Sequence, residues 1–355
     1  MKTYLKLALS ILIILLAVTN CDEKKDNETN PADSNPTSDN PFAGAKVVAT
    51  VDGFNGAEAI AIAPNTTFNG TLYVGDAANL SIYHVLDTGV PILQKKISLT
   101  TVNDLFVNHS NPHLLFTACG GYGLYIYDIS AGVYNFNPQS KAFIPGGFYK
   151  DITVYQNRLY IASQLSRGVR MYNVASPESP FLQTSIDEAA NSNAVTISGN
   201  GELVVADYNG KIKFFDISNP NSVTSTTQPK VSLLVSGYLK AAAGNYGRVC
   251  ISSENGIYII SPIGNAQQNP QIQSSMAIPS YIEDVEILYK SSPQEKYYAF
   301  LAAGNRDFMI VDITDVKNPK ILKEIALDGT AHAITLMSGY AYVAADTHVH
   351  IIKYE

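Results

Sequence analysis

Four stretches decide the fold of this chain: Asp-Ile-Thr-Val at 151–154, Arg-Leu-Tyr-Ile-Ala at 158–162, Gly-Val-Arg-Met-Tyr-Asn-Val at 168–174 and Pro-Phe-Leu-Gln-Thr at 180–184. Each one alternates along its length or is rich in β-branched and aromatic residues, as β-strands are. Turn residues separate the stretches, and no segment after Ala43 sustains a helical period over three turns. The region is therefore predicted to be all-β, with four short strands in this unit.

The same order of strand-like stretches recurs along the chain. A small residue ends the second strand of every unit, and successive markers are 42 to 50 residues apart, at Gly75, Ala118, Ala162, Ala206, Ser252, Ala302 and Ala344. Seven four-stranded units at a near-constant period are typical of a β-propeller, whose blades surround a central channel. An open solenoid is the alternative, but its repeats are usually shorter and need capping units that this sequence lacks. We predict a seven-bladed propeller over 44–355.

The two ends of the repeat region predict how the ring closes. The seventh unit stops at Glu355 after three strands, whereas Lys46–Asp52 precedes the first unit and is similar to 320–326, the outer strand of the sixth. We predict that Lys46–Asp52 supplies the outer strand of the last blade. Closure of this kind removes free strand edges, which would otherwise template aggregation.

The first residues of the chain have the features of an export signal. Lys2 and Lys6 flank the start of an apolar run, 7–18, that is too short to span a bilayer core of roughly 30 Å as a helix. Val-Thr-Asn-Cys at 18–21 resembles a lipobox, the site at which bacterial lipoproteins are acylated on cysteine and cleaved before it. The match departs from the usual pattern at Asn20, where Gly, Ala or Ser is commonest.

The stretch that follows favours attachment to a membrane. Residues 22–41 include six acids and two lysines but no aromatic or large aliphatic residue, so they cannot bury enough apolar surface to offset their ordering entropy. We predict a signal peptide over 1–20, lipidation at Cys21 and a disordered acidic tether over 21–43. The expected location is the bacterial cell envelope, on the outer-membrane, periplasmic or surface-exposed side. A plain secretory signal with a chance cysteine is the alternative.

Composition argues against two classes of protein. The formal net charge is −7, and removal of Lys2 and Lys6 with the signal would leave 22 basic against 31 acidic residues. Nucleic-acid binding needs clustered Lys and Arg, so it is not expected. Three cysteines are too few for a disulfide framework. Cys119 and Cys250 fall in different predicted blades and are expected to be separate buried small hydrophobes.

Three segments resemble a known repeat: Gly-Leu-Tyr-Ile-Tyr-Asp-Ile-Ser at 123–130, Lys-Phe-Phe-Asp-Ile-Ser-Asn-Pro at 213–220 and Phe-Met-Ile-Val-Asp-Ile-Thr at 308–314. They are similar to the LVIVD repeat. Blade one departs from it with His84 in place of the aspartate, and blade five departs with Ser-Pro at 261–262. The resemblance implies a seven-bladed propeller of a kind that is often secreted or lipid-anchored at bacterial surfaces. It brings no established catalytic residues.

The best candidate site is one end of the central channel. The first strand of each blade is innermost, so the residues that begin these strands surround one channel end. Asp104, Asp151 and Asp284 share one such position, and the position before it holds Glu58, Asn103, Lys150, Asn193, Lys240, Glu283 and His332. The alternative is that these side chains hydrogen-bond neighbouring blade loops. The predicted binding residues are Glu58, Asp104, Asp151, Lys240, Asp284 and His332.

Two other sets of polar residues are interpreted as structural. The aspartate of the repeat recurs as Asp128, Asp216 and Asp312, each before a turn, where its carboxylate is expected to cap that turn. His348 and His350 lie on one strand face, but a zinc site needs a third or fourth ligand and only His332 is a conceivable one. No metal and no cofactor are predicted.

The sequence predicts the fold clearly but contains no catalytic motif, so the functional prediction depends on the fold. No HExxH, Gly-x-Ser-x-Gly or phosphate-binding glycine loop is present. We expect a monomeric, non-catalytic scaffold that binds a protein. One rival is a propeller-type hydrolase or lyase that uses Asp104, Asp151 and Asp284. The other is a carbohydrate-binding module that relies on tyrosines predicted to lie in loops, namely Tyr122, Tyr149, Tyr238 and Tyr246.

Overall fold

A computed structural model of the chain describes residues 40–64, 69–108, 113–137, 139–164, 168–199, 201–245, 247–261, 269–305 and 308–355. These residues form seven four-stranded antiparallel sheets and three short 3₁₀ helices, at Val133–Asn135, Asp187–Ala189 and Pro220–Ser222. The predicted signal peptide and the lipidation site at Cys21 lie outside the described residues. In the part of the chain that is described, no helix has the length and apolar character needed to cross a membrane.

Each sheet is one blade, and its strands run from the channel outward in chain order, except that the outermost strand of blade seven is the first strand of the chain. Blade one is β2 (Ala59–Pro64), β3 (Gly70–Gly75), β4 (Asn79–Val85) and β5 (Pro91–Ser98). Blade two is β6 (Asp104–Val107), β7 (Leu114–Ala118), β8 (Gly123–Asp128) and β9 (Ala142–Pro145). Blade three is β10 (Tyr149–Tyr155), β11 (Arg158–Ser163), β12 (Val169–Asn173) and β13 (Phe181–Ile186). Blade four is β14 (Ser192–Ser198), β15 (Glu202–Asp207), β16 (Lys211–Asp216) and β17 (Val231–Leu234).

The remaining three blades complete the ring. Blade five is β18 (Leu239–Asn245), β19 (Arg248–Ser253), β20 (Gly256–Ser261) and β21 (Gln271–Ala277). Blade six is β22 (Asp284–Lys290), β23 (Lys296–Ala302), β24 (Phe308–Asp312) and β25 (Lys320–Ile325). Blade seven is β26 (Ala331–Met337), β27 (Tyr340–Ala345), β28 (His348–Lys353) and β1 (Lys46–Asp52). Each innermost strand contacts the next and β26 contacts β2, so the predicted seven-bladed propeller is confirmed.

The ring closes through the first strand of the chain. β1 pairs antiparallel with β28, with Lys46 opposite Lys353 and Asp52 opposite His348. The prediction that Lys46–Asp52 completes the last blade is therefore confirmed. This pairing joins the two ends of the described chain in one sheet, and it covers the edge that β28 would otherwise leave open.

The apolar core is divided among the seams between blades. The buried apolar side chains form seven clusters, and each cluster combines residues of two adjacent blades. Cys119 is buried in the seam of blades one and two and Cys250 in the seam of blades five and six. The two thiols are unpaired, as predicted, and burial raises the pKa of each to about 12.

The third strand of blade three begins after a glycine for a steric reason. Gly168 has a φ of +64°, a conformation that side chains other than that of glycine rarely adopt. A Cβ atom there would lie 2.0 Å from the carbonyl oxygen of Ile186, on the neighbouring outer strand. The turn therefore admits glycine alone, which explains why this residue stands at the start of the quoted 168–174 stretch.

The two ends of the channel differ in their connections to the chain. We call the end at which the innermost strands begin the mouth, marked by Asp104, Asp151 and Asp284, and the other the opposite end. Lys46 pairs with Lys353, and Lys353 pairs with Tyr340, which follows the turn at the far end of β26. The chain therefore reaches β1 from the opposite end.

A buried aromatic residue fixes the chain just before β1. Phe42 is fully buried and makes edge-on contacts with the rings of Tyr298, Phe300 and Tyr354, at centroid distances of 4.8, 5.6 and 5.9 Å. The densely packed unit accordingly begins at Pro41, a little earlier than the predicted start at 44.

Candidate functional site

The mouth opens into a cavity of about 710 Å³ that the innermost strands surround. All six predicted binding residues line it, at Glu58, Asp104, Asp151, Lys240, Asp284 and His332. The structure therefore brings the predicted residues together in space.

The three aspartates hold adjacent blades together. Oδ2 of Asp104 accepts a hydrogen bond of 2.8 Å from the backbone N–H of Ile152 in the next blade. Asp151 accepts one of 2.7 Å from Val195 N–H in the same way. Asp284 repeats the arrangement with Ile334 N–H at 2.9 Å. The equivalent positions of the other four blades are alanines, at Ala59, Ala194, Ala241 and Ala333.

Enclosure by the ring also makes these carboxyl groups hard to ionise. Burial is the main cause that raises the pKa of Asp104 to about 6, and a hydrogen bond from Asp151 offsets part of the shift. Burial, and then the charge of Asp104, raises the pKa of Asp151 well above its usual range. Asp104 and Asp151 thus form an interacting pair in which both carboxyl groups bind a proton more readily than an ordinary aspartate does. Burial likewise raises the pKa of Asp284.

A recurring backbone irregularity places the neighbouring set of side chains. The pairing of the first and second strands shifts register at the start of blades three, four, five and seven, where the strands carry β-bulges. The shifts fall at Lys150, Asn193, Lys240 and His332, all of which line the cavity. A bulge re-aims a side chain at the cost of local pairing. At the mouth, therefore, bulges interrupt the regular strand pairing and direct polar side chains into the cavity.

Several of these displayed residues also bridge blades. Asn103 donates from Nδ2 to the carbonyl of Tyr149 at 3.0 Å, and Asn193 donates to the carbonyl of Leu239 at 2.8 Å. Nζ of Lys240 lies 3.1 Å from Oε2 of Glu283, which joins blades five and six. These contacts match the alternative considered for the mouth, in which its polar residues link neighbouring blades.

Two charged residues that line the cavity, Glu58 and Lys150, take no part in these contacts between blades. The side chains of Glu58, which is exposed, and Lys150 make no hydrogen bond or ion pair with any other described residue. His332 is bound within its own blade, because its Nε2 lies 2.9 Å from Oδ1 of Asp346. Glu58 and Lys150 are therefore the side chains best placed to contact another molecule.

Three further residues belong to the site but were not predicted from the sequence: Glu286, Tyr208 and Tyr281. Glu286 lies two residues after Asp284, on the same side of β22, and burial raises the pKa of its carboxyl group to about 7. Its signal was the period of two along a strand. Tyr208 lines the cavity from the turn after β15, and Tyr281 lies under Nζ of Lys240 at 5.3 Å from the ring centroid.

The prediction that four tyrosines lie in exposed loops is correct only in part. Tyr122 and Tyr238 are exposed, and the ring of Tyr238 stacks on that of Tyr208 with centroids 4.5 Å apart. The prediction for Tyr149 is wrong. A bulge between Tyr149 and Asp151 extends β10 and buries the ring, whose hydroxyl accepts a hydrogen bond from Arg170. Tyr246 lies outside the described residues.

The repeated aspartates act as the sequence predicts. Asp128 accepts a hydrogen bond from Ser130 N–H at 2.9 Å, Asp216 from Ser218 N–H at 3.0 Å and Asp312 from Thr314 N–H at 2.8 Å. Each carboxylate therefore caps the turn that follows its strand, at the opposite end of the ring from the mouth.

The two histidines of β28 have partners of their own. Nδ1 of His348 lies 2.7 Å from Oδ1 of Asp52, and His350 contacts Oγ1 of Thr50 at 3.1 Å and the carbonyl of Asp328 at 2.8 Å. Both histidines thus contact residues of β1, and His350 also contacts the loop after β25. Among the described residues, no group of three or more His, Cys, Asp or Glu side chains could hold a metal ion.

The geometry and the comparisons with known proteins together define a seven-bladed β-propeller. The profile of the LVIVD repeat matches residues 295–325, which cover β23, β24 and β25 of blade six. The chain thus carries an LVIVD repeat, as its resemblance implied. No curated protein matches the sequence.

Solved structures agree on the architecture. The chain is similar to the computationally designed Ika8 protein, with 12% identity and a TM-score of 0.59 over 87% of this chain and 99% of that one. It is also similar to the β-propeller domain of Cps50 (Swd1) from Myceliophteria thermophila, with 10% identity and a TM-score of 0.64 over 88% of this chain and all of that one. At such identities the likeness establishes the fold alone.

Proposed function

We propose that this propeller is an envelope-anchored lipoprotein that binds a macromolecular partner at its mouth without catalysing a reaction. The observation that carries the proposal is the open cavity of about 710 Å³, whose lining includes the uncommitted charges of Glu58 and Lys150. Cavities with a few convergent polar groups are the usual places for recognition in a rigid fold.

The path of the chain supports this arrangement. The segment before β1 leaves the ring at the opposite end, where Lys46 pairs with Lys353. An acyl chain on Cys21 would therefore attach the protein through the end that faces away from the mouth.

The test has one arm for attachment and one for recognition. Cys21→Ser is expected to move the protein from the membrane fraction to the soluble fraction of cells. For recognition, in-cell crosslinking compares the full lipidated protein with the double variant Glu58→Arg and Lys150→Glu. Asp104, Asp151 and Asp284 are left unchanged because they hold the blades together.

A matched control comes from the opposite end. Asp87 is exposed in the turn after β4, so Asp87→Arg makes the same kind of charge reversal as Glu58→Arg, but away from the mouth. We expect a crosslinked partner to be lost with the double variant and kept with Asp87→Arg. Equal crosslinking by all three proteins would contradict binding at the mouth, and membrane retention of Cys21→Ser would contradict lipid anchoring there.

A second candidate function, acid–base catalysis on a sugar or phosphoester, has one specific observation in its favour. Asp104 and Asp151 share a hydrogen bond and have raised pKa values, a combination that is common in catalytic acids. Turnover of such a substrate by the wild type, with loss of activity and retained stability in Asp151→Asn, would support catalysis. No turnover in a screen of both substrate classes would leave binding as the function.

A further inference from the structure

We propose that the mouth takes a lysine- or arginine-bearing segment of a protein partner, held by carboxylates and exposed tyrosine rings. This inference rests on the proposed function and names the chemical class of the partner. Three observations carry it: the distribution of charge between the two ends, the exposed aromatic side chains and the environment of Lys240.

The two ends of the ring differ in charge. The three buried aspartates of the mouth, Asp104, Asp151 and Asp284, are left out of the charge count because their pKa values are raised. Among the other described residues, the turns and strand ends at the mouth carry ten carboxylates and five basic residues. The carboxylates are Asp52, Glu58, Asp76, Asp187, Glu188, Asp207, Glu254, Glu283, Asp328 and Asp346, and the basic residues are Lys150, Arg170, Lys211, Lys213 and Lys240. Such a surplus attracts a cationic partner and steers it toward the mouth.

The opposite end is close to neutral over the same kind of positions. It carries nine carboxylates and ten basic residues among those described. The carboxylates are Asp87, Asp128, Glu178, Glu202, Asp216, Glu295, Asp312, Asp315 and Glu355, and the basic residues are Lys46, Lys141, Arg158, Lys230, Arg248, Lys290, Lys296, Lys317, Lys320 and Lys353. The excess of negative charge is therefore a property of the mouth and not of the whole surface.

Exposed aromatic rings lie beside these carboxylates. Tyr208 and Tyr238 are each 45% exposed and stack on one another, with planes 24° apart, and Tyr281 is 51% exposed. All three lie on the side of the mouth formed by blades four to six. Aromatic faces attract ammonium and guanidinium groups, so rings and carboxylates together favour Lys or Arg over a neutral ligand.

The chain itself shows how this mouth holds an ammonium group. Nζ of Lys240 lies between Oε2 of Glu283, at 3.1 Å, and the ring of Tyr281, whose centroid is 5.3 Å away. Glu254 lies beside the segment that carries the stacked tyrosines, since its N–H donates to the carbonyl of Tyr238 at 3.2 Å and its carboxylate lies against Gly237. No described lysine or arginine of this chain pairs with the Glu254 carboxylate. We assign the Glu254 and Tyr238 pair as the contact for a partner's basic side chain.

The experiment measures binding of defined peptides by fluorescence anisotropy. The probes are a labelled lysine–glycine repeat and a glutamate–glycine repeat of equal length, titrated with the full chain at low and at physiological salt. We expect the lysine peptide alone to bind, and more weakly at higher salt because the attraction is screened. Tyr238→Ala and Glu254→Gln are each expected to weaken it about three- to tenfold. Tyr134→Ala is the matched control, because this exposed tyrosine lies at the opposite end.

The outcomes separate this inference from the proposed function. Binding of the lysine peptide that ignores both mouth variants, or equal binding of the two peptides, overturns the inference. A crosslinked partner that depends on Glu58 and Lys150 but binds independently of salt also overturns it, while leaving the proposed function intact. Displacement of the lysine peptide by a neutral oligosaccharide would assign the tyrosines to glycan binding instead. Crosslinking without any mouth dependence is the result that removes the proposed function itself.

Discussion

Oδ2 of Asp104, on the innermost strand of blade two, lies 2.8 Å from the backbone nitrogen of Ile152 in blade three, and its Oδ1 lies 2.7 Å from the nitrogen of Leu105. One carboxylate thus satisfies an N–H group on each side of a seam. The bond across a seam recurs at two other seams, through Asp151 and Asp284, and Asp284 also accepts a hydrogen bond of 2.8 Å from Val285 N–H in its own blade. These aspartates of the mouth therefore have a structural role at the blade seams.

Removal of this carboxylate is expected to weaken the ring. Asp104→Ala leaves the N–H groups of Ile152 and Leu105 without an acceptor near the channel, a loss that costs about 1–3 kcal/mol for a buried group. Asp104→Asn keeps one acceptor oxygen and is expected to lose less. Urea unfolding of both variants measures the difference, and an alanine variant as stable as the wild type would show that the seam does not depend on this contact.

Stability is expected to change with pH through the same carboxyl groups. The pKa of Asp104 is raised to about 6, and that of Asp151 is raised as well, above the value of roughly 3.9 in an unfolded chain. The folded state therefore holds more protons, so this contribution is fully present below about pH 4 and is lost as the pH rises through about 6. Asp151→Asn removes one of the two titrating groups, and we expect a smaller loss of stability between pH 5 and pH 8.

Denaturation midpoints at those two values provide the measurement. Asp87→Asn is a suitable control, because that carboxylate is exposed at the opposite end and makes no hydrogen bond or ion pair with another described residue. The same pH dependence in the wild type and in Asp151→Asn would rule out this pair as its source.

His350 is expected to act in the other direction. The residue is 4% exposed and lies between β1 and the loop after β25, and burial lowers its pKa from the usual 6.5. The folded state favours the neutral ring, so its contribution is present above about pH 6.5 and is lost as the pH falls further. His350→Gln is expected to lose stability at pH 7 but to show a smaller acid-side decline, which thermal melts would detect. A steeper decline in the variant would be inconsistent with a neutral buried ring.

Loss of β1 is expected to open the ring. A chain that begins at residue 53 lacks both the β1 ladder with β28 and the buried Phe42, and so exposes an edge of blade seven. We expect a large fall in melting temperature and a tendency to aggregate. A chain that begins at Pro41 keeps the whole packed unit, so its melting temperature is expected to match that of the full chain. Equal melting of the two shortened chains would show that β1 is dispensable.

Much of this architecture could be predicted from the sequence because it depends on local pattern. The second-strand markers and Lys46–Asp52 follow from strand periodicity and from one missing strand in the last unit. The position of Asp104 at the mouth follows from the same repeat. Its bond to Ile152 could not be predicted, because that contact depends on how two blades pack, which no local pattern records.

Bulges account for the main error and for part of the site. Tyr149 was predicted in a loop, but the register shift before Asp151 carries it into the strand and buries it. The same irregularity occurs at Lys150 and His332, whose side chains line the cavity. A bulge has a weak sequence signal when no glycine marks it, since one added residue hardly changes the strand pattern.

The route of the chain into β1 has a mechanical consequence. Its N-terminal end lies at one pole of the ring and its C-terminal end at the other, where Asp52 faces His348. If the N-terminal segment is tethered and a partner pulls on the mouth, the tension runs along the length of β1. The hydrogen bonds between β1 and β28 are then loaded in shear, all at the same time, instead of being broken one after another. The strand that closes the ring is thus also oriented to bear load.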